Sequence, residues 1–113
     1  MVVAAAVAGM VGLDRWAGWS LCWQSAGRTP EPWRGPDILD VIRDLAATDR
    51  AEGVLVCPQG FVSDHLEVVY DLDIEAKGVA DELGLAFGRT RVLNDDAATF
   101  RALADRVLAA APA

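Results

Sequence analysis

A four-residue apolar run, Val54 to Cys57, is the feature that most restricts how this chain can fold. Gly53 precedes the run and Pro58 follows it, so the segment is too short for a helix and is typical of a strand buried on both faces. Segments with helical periodicity lie on either side of it. Strands that alternate with helices indicate a parallel sheet covered by helices on both faces. We therefore predict an α/β fold with three layers.

The rest of the chain continues this alternation, in the order α-β-α-β-α-β-α. Helices are expected at residues 2–13, at 37–47, from about 65 to 83, and after an N-cap at Asn94 or Asp95. Strands are expected at residues 19–24, 54–57 and 85–93. In parallel sheets ligands bind at the carboxyl ends of the strands. The Pro-rich loop after the first strand and the segment after the second are therefore the candidate binding loops.

Composition and charge limit what the chain can do. With 113 residues, of which 53% are hydrophobic, it is expected to form one domain, residues 1–113, or part of one. The net charge of −7 argues against nucleic acid or an anionic membrane surface as the main partner and suits a cationic one. The apolar opening is too short to span a bilayer.

The two cysteines, Cys22 and Cys57, each lie in an apolar run and have no zinc-type spacing. We interpret both as buried free thiols, which favours a reducing, cytoplasmic location.

The only histidine, His65, precedes a row of acidic residues, Glu67, Asp71 and Glu75. On a helix, residues four apart share a face, so the three carboxylates would form a stripe roughly 12 Å long with no lysine or arginine in it. Such a stripe can hold or relay protons or a divalent metal. The alternative is structural: Asp64 and Glu67 match a variant capping box, and the later acids would simply face water.

Four tryptophans lie within the first 33 residues. Trp19 and Trp23 are candidate core residues. Trp33, in a Pro-rich loop after a strand, could form the wall of a flat apolar pocket, or it could pack the loop onto the domain. The sequence has no Gly-rich phosphate loop, and Ser63 next to Asp64 and His65 does not have the geometry of a catalytic triad.

Three segments together resemble one known family. PQGFVSDHLEVVYDLDIEA, residues 58–76, resembles the ferrochelatase signature P-I-x-F-x-S-D-H-(I/L)-E and its continuation. WQS at residues 23–25, with the Pro-rich loop ending in Trp33, is similar to the family's W-Q-S…P-W segment. LNDD and FRALADRVL resemble the family's asparagine loop and last helix. The resemblance implies two similar α/β domains with a porphyrin in the cleft between them, of which this chain would be the C-terminal half.

The resemblance also implies an activity, the insertion of Fe²⁺ as a substrate into a porphyrin during haem synthesis. By position, His65 and Glu67 match the catalytic His-x-Glu, which takes pyrrole protons and guides the metal. Asp71 and Glu75 match acidic positions that continue the metal or proton path. The expected metal-contacting residues are thus His65, Glu67, Asp71 and Glu75. The expected porphyrin-contacting residues are Gln24, Ser25 and Trp33.

Departures from the family pattern keep several alternatives open. The first domain is missing, as is the opening strand of the second domain with its histidine. The chain could be a catalytic half that needs an N-terminal ferrochelatase half, a non-catalytic remnant that at most binds porphyrin or metal, or a short chelatase built from two copies. It is expected to be inactive alone.

No C-terminal cysteines are present to bind an iron–sulfur cluster, so no cluster is expected. The Ala-, Arg- and Asp-rich composition resembles that of actinobacteria, whose ferrochelatases use coproporphyrin III, with protoporphyrin IX as the alternative.

Overall fold

The computed structural model describes residues 2–13, 18–24 and 35–112. Its helices are α1 (Val2–Met10), α2 (Ile38–Thr48), α3 (Leu66–Val68), a π-helical segment π1 (Val69–Ala76), α4 (Lys77–Glu82) and α5 (Ala97–Ala110). Its strands are β1 (Gly53–Val56) and β2 (Ala86–Arg89). Within these ranges, no helix has the length and apolar character that crossing a membrane requires.

The two strands pair in parallel, with Gly53 opposite Ala86 and Val56 opposite Arg89. Gly53 suits this pairing because a Cβ atom there would lie only 3.0 Å from both the Cβ atom and the carbonyl oxygen of Ala86, a tight contact. The chain passes from β1 to β2 through a helical crossover, as parallel strands require. The predicted α/β class and parallel pairing are therefore confirmed, whereas the three-layer arrangement stays a prediction.

The strand expected at residues 19–24 does not form. Trp23 makes a single parallel bridge to Asp37, in which the Trp23 N–H donates to Pro36 and its carbonyl accepts from Ile38, at 2.9 and 2.8 Å. The segment has strand-type composition, but a strand also needs a neighbouring strand that supplies a continuous ladder. Trp19 and Trp23 are half-buried.

Helix α2 forms as predicted from its apolar spacing. The Asp37 carboxylate caps its start by accepting from the Leu39 N–H at 2.8 Å, and Asp49 ends it in the left-handed region at φ 52°. Ile38 and Ile42 on its apolar face are buried. They lie in one core with residues of the crossover and of the segments around β2, namely Val68, Leu72, Ala76, Ala80, Leu85 and Val92.

The crossover from β1 to β2 is one continuous helix over residues 66–82, called here the composite helix because π1 lies between α3 and α4. The sequence predicts a helix from about 65 to 83, and these bounds agree, as does the stop at Gly84, which has φ 75°. The π-helical hydrogen bonding was not predicted. Val68, Leu72, Ala76 and Ala80, spaced four apart, are completely buried and join the helix to the core.

Helix α5 begins one or two residues later than expected. Asp96, not Asn94 or Asp95, is its N-cap, and its carboxylate accepts from the Thr99 N–H at 3.0 Å and from the Thr99 hydroxyl at 2.7 Å. These hydrogen bonds lower the pKa of Asp96. None of the residues of α5 is buried, and its apolar side chains, among them Phe100, Leu103 and Val107, face outward.

The prediction that both cysteines are buried is wrong for Cys57, which is exposed, while Cys22 is half-buried. Cys57 comes directly after β1 ends, and within the described residues β1 has a neighbouring strand on one side only. Burial, and to a smaller degree the Asp37 carboxylate, raise the pKa of the Cys22 thiol. Both thiols are free.

Candidate functional site

His65 begins the composite helix and caps it with its ring. Its Nδ1 atom accepts from the Glu67 N–H at 3.2 Å, and the ring lies edge-on to Phe61 with centroids 4.3 Å apart. The capping box of Asp64 and Glu67, which was the structural alternative, is therefore not the arrangement that forms. Because Nδ1 uses its lone pair in the cap, the neutral ring carries its proton on Nε2, which is left as a donor.

The three acidic residues follow along the helix as the spacing predicts. Glu67 and Glu75 are exposed and Asp71 is half-buried. Each directly precedes one of the completely buried residues Val68, Leu72 and Ala76, so the row borders the face that contacts the core. Part of the row lies on π1, and π-helical turns occur frequently at functional sites. In the part of the chain that the structure describes, no group of three or more His, Cys, Asp or Glu side chains could hold a metal ion.

The porphyrin-contacting residues are only partly within the described ranges. Gln24 is half-buried at the end of the bridge segment. Ser25 and Trp33 lie outside the described residues, so the two interpretations of Trp33 both stay predictions.

Arg89, the last residue of β2, makes a bidentate ion pair with Asp73 on π1. Its Nε and Nη2 atoms donate to the two carboxylate oxygens at 2.5 and 2.9 Å. The hydrogen bond between Arg89 and Asp73 is the main cause of two pKa shifts: it raises the pKa of the guanidinium and lowers the pKa of the Asp73 carboxyl. The attraction between the two charges acts in the same direction and is smaller. The Arg89 side chain is only 15% exposed, so this ion pair is better shielded from solvent than the pairs of Arg43 with Asp40, Arg50 with Asp44 and Lys77 with Asp81.

The same guanidinium reaches the residue before His65. Its Nη2 atom lies 3.2 Å from a carboxylate oxygen of Asp64. Asp64 is also joined to Asn94 by two hydrogen bonds, from its N–H to the amide oxygen at 2.9 Å and from the amide nitrogen to its carboxylate at 3.1 Å. The Asn94 N–H donates to the Val62 carbonyl at 2.8 Å. Arg89, Asp73, Asp64 and Asn94 are called here the Arg89 network.

Comparison with known proteins identifies the family. The sequence matches the ferrochelatase family over residues 2–111. The chain belongs to the ferrochelatase family. Ferrochelatases are lyases of haem biosynthesis. The match includes the His65 segment, the composite helix and α5.

Individual ferrochelatases are similar to the chain over most of its length. The ferrochelatase of Herpetosiphon aurantiacus is 55% identical over 80 residues, which are 71% of this chain and 26% of the relative. The coproporphyrin III ferrochelatase of Anoxybacillus flavithermus is 52% identical over 76% of this chain and 27% of its own. The ferrochelatase of Thermus thermophilus is 52% identical, with shares of 81% and 29%. The chain thus spans about a quarter of the length of the ferrochelatases it matches. These relatives come from outside the actinobacteria and give the compositional indication of such an origin no support.

The Arg89 network was missed by reasoning from the ferrochelatase signature and from residue spacing. A signal was present, because Arg89 ends a strand of a parallel sheet, at the same edge as the loop that follows β1. The Thr90 N–H donates to the Val56 carbonyl at 2.9 Å, so the two strand ends are adjacent. The third strand was predicted to run to residue 93, whereas β2 ends at Arg89, so the strand-end rule applied to the predicted bounds points to Asn94 and not to Arg89.

Proposed function

We propose that this chain is the C-terminal part of a ferrochelatase and that, together with an N-terminal ferrochelatase part, it inserts Fe²⁺ into a porphyrin. The observation that carries the proposal is the family match over residues 2–111 combined with coverage of about a quarter of the relatives. We propose residues 1–113 as a partial C-terminal domain, in the cytoplasm, that is inactive alone.

The proposed chemistry releases two protons from the pyrrole N–H groups while Fe²⁺ enters the ring. Glu67, an exposed carboxylate on the first turn, is the first proton acceptor in this proposal. His65 can accept a proton on Nδ1 only if it gives up the hydrogen bond from the Glu67 N–H, because that lone pair is engaged. Asp71 and Glu75 continue the acidic path and, with His65 and Glu67, contact the metal on its way. Gln24, Ser25 and Trp33 contact the macrocycle.

An N-terminal ferrochelatase part is the proposed partner because two apolar faces of the chain are open. One is on the composite helix and consists of Leu66, Tyr70 and Ile74. The other is on α5 and consists of Phe100, Leu103 and Val107. Exposed apolar faces of this kind mark contact surfaces, and the matched segments are only 26% and 29% of two similar ferrochelatases, so most of the length of those proteins is available to cover such faces.

Coproporphyrin III is the proposed porphyrin, because several similar ferrochelatases are named for it. Protoporphyrin IX is the alternative. Two other functions stay alternatives: a non-catalytic remnant that binds porphyrin or metal, and a chelatase that assembles its site from two copies of this chain.

Reconstitution tests the proposal. The chain alone, and the chain mixed with the N-terminal part of a similar ferrochelatase, are incubated with Fe²⁺ and each porphyrin, and insertion is followed by the loss of porphyrin fluorescence. We expect activity only in the mixture. Activity of the chain alone as a dimer would support the two-copy chelatase, and no activity in any mixture would support the remnant.

The substitution Glu67→Gln tests the residue assignment in the same mixture. It removes the proposed proton acceptor, so we expect the rate of insertion to fall by about 100-fold or more. Glu82→Gln makes the same charge change at an exposed position at the end of the composite helix and is the matched control. Equal rates for the two variants would refute a role of Glu67 in proton transfer.

A further inference from the structure

The Arg89 network joins four places along the chain. Arg89 ends β2, Asp73 is in the middle of π1, Asp64 directly precedes His65, and Asn94 lies in the turn before α5. One guanidinium therefore contacts a residue just before the composite helix and a residue within it, nine positions apart. Between these points lie His65, Glu67 and Asp71.

The shape of the guanidinium explains why the two contacts can be made together. Nε and Nη2 form a planar pair of donors to both oxygens of Asp73, and Nη2 also faces Asp64. The remaining nitrogen, Nη1, donates to the Thr90 carbonyl at 3.2 Å, which holds the side chain against its own strand. A lysine has a single ammonium group and cannot reproduce this arrangement.

The helix needs such a contact because π1 is not the ordinary hydrogen-bonding pattern. If a π turn reverts to an α turn, the hydrogen-bond register shifts by one residue. Because an α-helix has 3.6 residues per turn, this shift rotates the preceding residues by roughly 100° about the helix axis. The buried residues Val68 and Leu72 resist this rotation on the core side. On the polar side, the contacts to Asp73 and Asp64 resist it.

We propose that Arg89 is a positioning residue that holds the His65 ring in its capping orientation, and with it the Glu67 carboxylate in the place where it accepts a proton, by fixing both Asp64 and Asp73 to the carboxyl end of β2. The proposal deepens the proposed ferrochelatase function and rests on it for the proton-transfer step. It predicts that loss of Arg89 misorients His65 without removing the fold.

The test uses the single histidine as a spectroscopic probe in the full chain. The ¹⁵N and ¹H signals of the His65 ring are recorded well above the ordinary imidazole pKa of about 6.5, where they report the tautomer and the ring-current shift from Phe61. In the unaltered chain we expect the Nε2–H tautomer and a shifted ring proton. In Arg89→Leu we expect a mixture of tautomers and loss of the ring-current shift. Unchanged His65 signals in Arg89→Leu would overturn the proposal.

Arg91→Leu is the matched control, because Arg91 is exposed, lies two positions away and undergoes the same change of charge. We expect its His65 signals to be those of the unaltered chain. A change as large as that in Arg89→Leu would mean that total charge, and not the Arg89 network, orients the ring, which overturns the proposal.

Arg89→Lys keeps the charge and carries the test if Arg89→Leu does not fold, as judged by far-ultraviolet circular dichroism. We expect a folded chain with altered His65 signals, and signals identical to those of the unaltered chain would refute a geometric role.

In the reconstituted mixture we expect Arg89→Lys to lower kcat on the order of 10- to 100-fold with little change in the KM for porphyrin. If no mixture is active while the His65 signals change as expected, the proposed function fails and the positioning role remains.

Discussion

At the scale of single residues, the N-cap of the composite helix shows how competition between partners decides a local structure. Asp64 is the better capping residue by type, but its carboxylate faces Arg89 and Asn94. Hydrogen bonds between charged groups are stronger than those to a neutral backbone N–H, so Asp64 is drawn into the Arg89 network. His65 then supplies the cap through Nδ1, and this hydrogen bond determines which ring nitrogen holds the proton.

Asp71→Ala tests the acidic path at this scale. If Asp71 guides Fe²⁺, its loss should raise the KM for iron in the reconstituted mixture by about tenfold and leave the KM for porphyrin nearly unchanged, because the carboxylate attracts the cation and not the macrocycle. Both constants come from initial rates with each substrate varied in turn. Glu82→Ala, which removes one exposed carboxylate of the same helix, is the control. The path is refuted if the KM for iron is the same in both variants.

At the scale of elements, the composite helix separates into faces with different roles. Val68, Leu72, Ala76 and Ala80 contact the core, the acidic row borders that face, and Leu66, Tyr70 and Ile74 are exposed. A helix that is apolar on two faces needs two partners, of which the described residues supply one. Truncation to alanine is therefore expected to lower the free energy of unfolding strongly on the buried face and only slightly on the exposed face.

Leu72→Ala and Ile74→Ala are a matched pair on this helix. Leu72 is 0% exposed, so its truncation leaves a cavity and should lower the free energy of unfolding by about 2–5 kcal/mol. Ile74 is 59% exposed, and its truncation should change that free energy by less than about 1 kcal/mol. Urea unfolding followed by circular dichroism measures both. Similar losses in the two variants would contradict the assignment of the buried face.

The ion pair between Asp73 and Arg89 predicts a pH dependence of stability. The Arg89 hydrogen bond lowers the pKa of Asp73 in the folded chain below its ordinary value of 3.8. The ionised carboxylate therefore stabilises the fold at pH values above 3.8, and this contribution is lost as the pH falls through the lower, folded-state pKa.

Asp73→Asn should consequently unfold more easily near neutral pH and lose less stability than the unaltered chain between about pH 4 and pH 2. Urea unfolding at a series of pH values measures this, with Asp105→Asn, the removal of an exposed carboxylate on α5, as the control. If Asp73→Asn and the unaltered chain lose equal stability over this range, the ion pair does not contribute to acid stability.

At the scale of the whole molecule, the chain is more extended than its length requires. Its radius of gyration is 16.8 Å, whereas a compact domain of this size has about 13 Å. Helix α5 has no buried residue, and several large apolar side chains of the composite helix are exposed. These features fit a part of a ferrochelatase whose remaining surface is covered by another part of the fold.

Leu103→Ser on α5 tests this at the level of assembly. Leu103 is 55% exposed, so the substitution should change the free energy of unfolding of the isolated chain by no more than about 0.5 kcal/mol. If α5 docks on the N-terminal ferrochelatase part, the same substitution should weaken binding of that part by about tenfold or more, as measured by calorimetry. Asp105→Ser, also exposed on α5, is the control. Equal affinities for the two variants would show that α5 is not the docking surface.

The sequence by itself determined the α/β class, the helix from Asp37, the strand near Val54 and the extent of the composite helix. These follow from short-range patterns: apolar spacing, a capping carboxylate and a glycine stop act within a few residues of one another. The sequence also predicted that the acidic residues after His65 lie in a row along one helix, because this depends only on their spacing.

Only the tertiary structure decided the π-helical hydrogen bonding, the cap by His65, the absence of a strand at residues 19–24 and the Arg89 network. The cap by His65 and the Arg89 network depend on partners that are distant in sequence, Asp64 with Asn94 and Asp73 with Arg89, which the parallel pairing of β1 and β2 brings together. The exposure of Cys57 has the same origin, since its strand has a neighbour on one side only in the described sheet. Local patterns specify which elements form, but the contacts between elements specify which side chain each charged group meets.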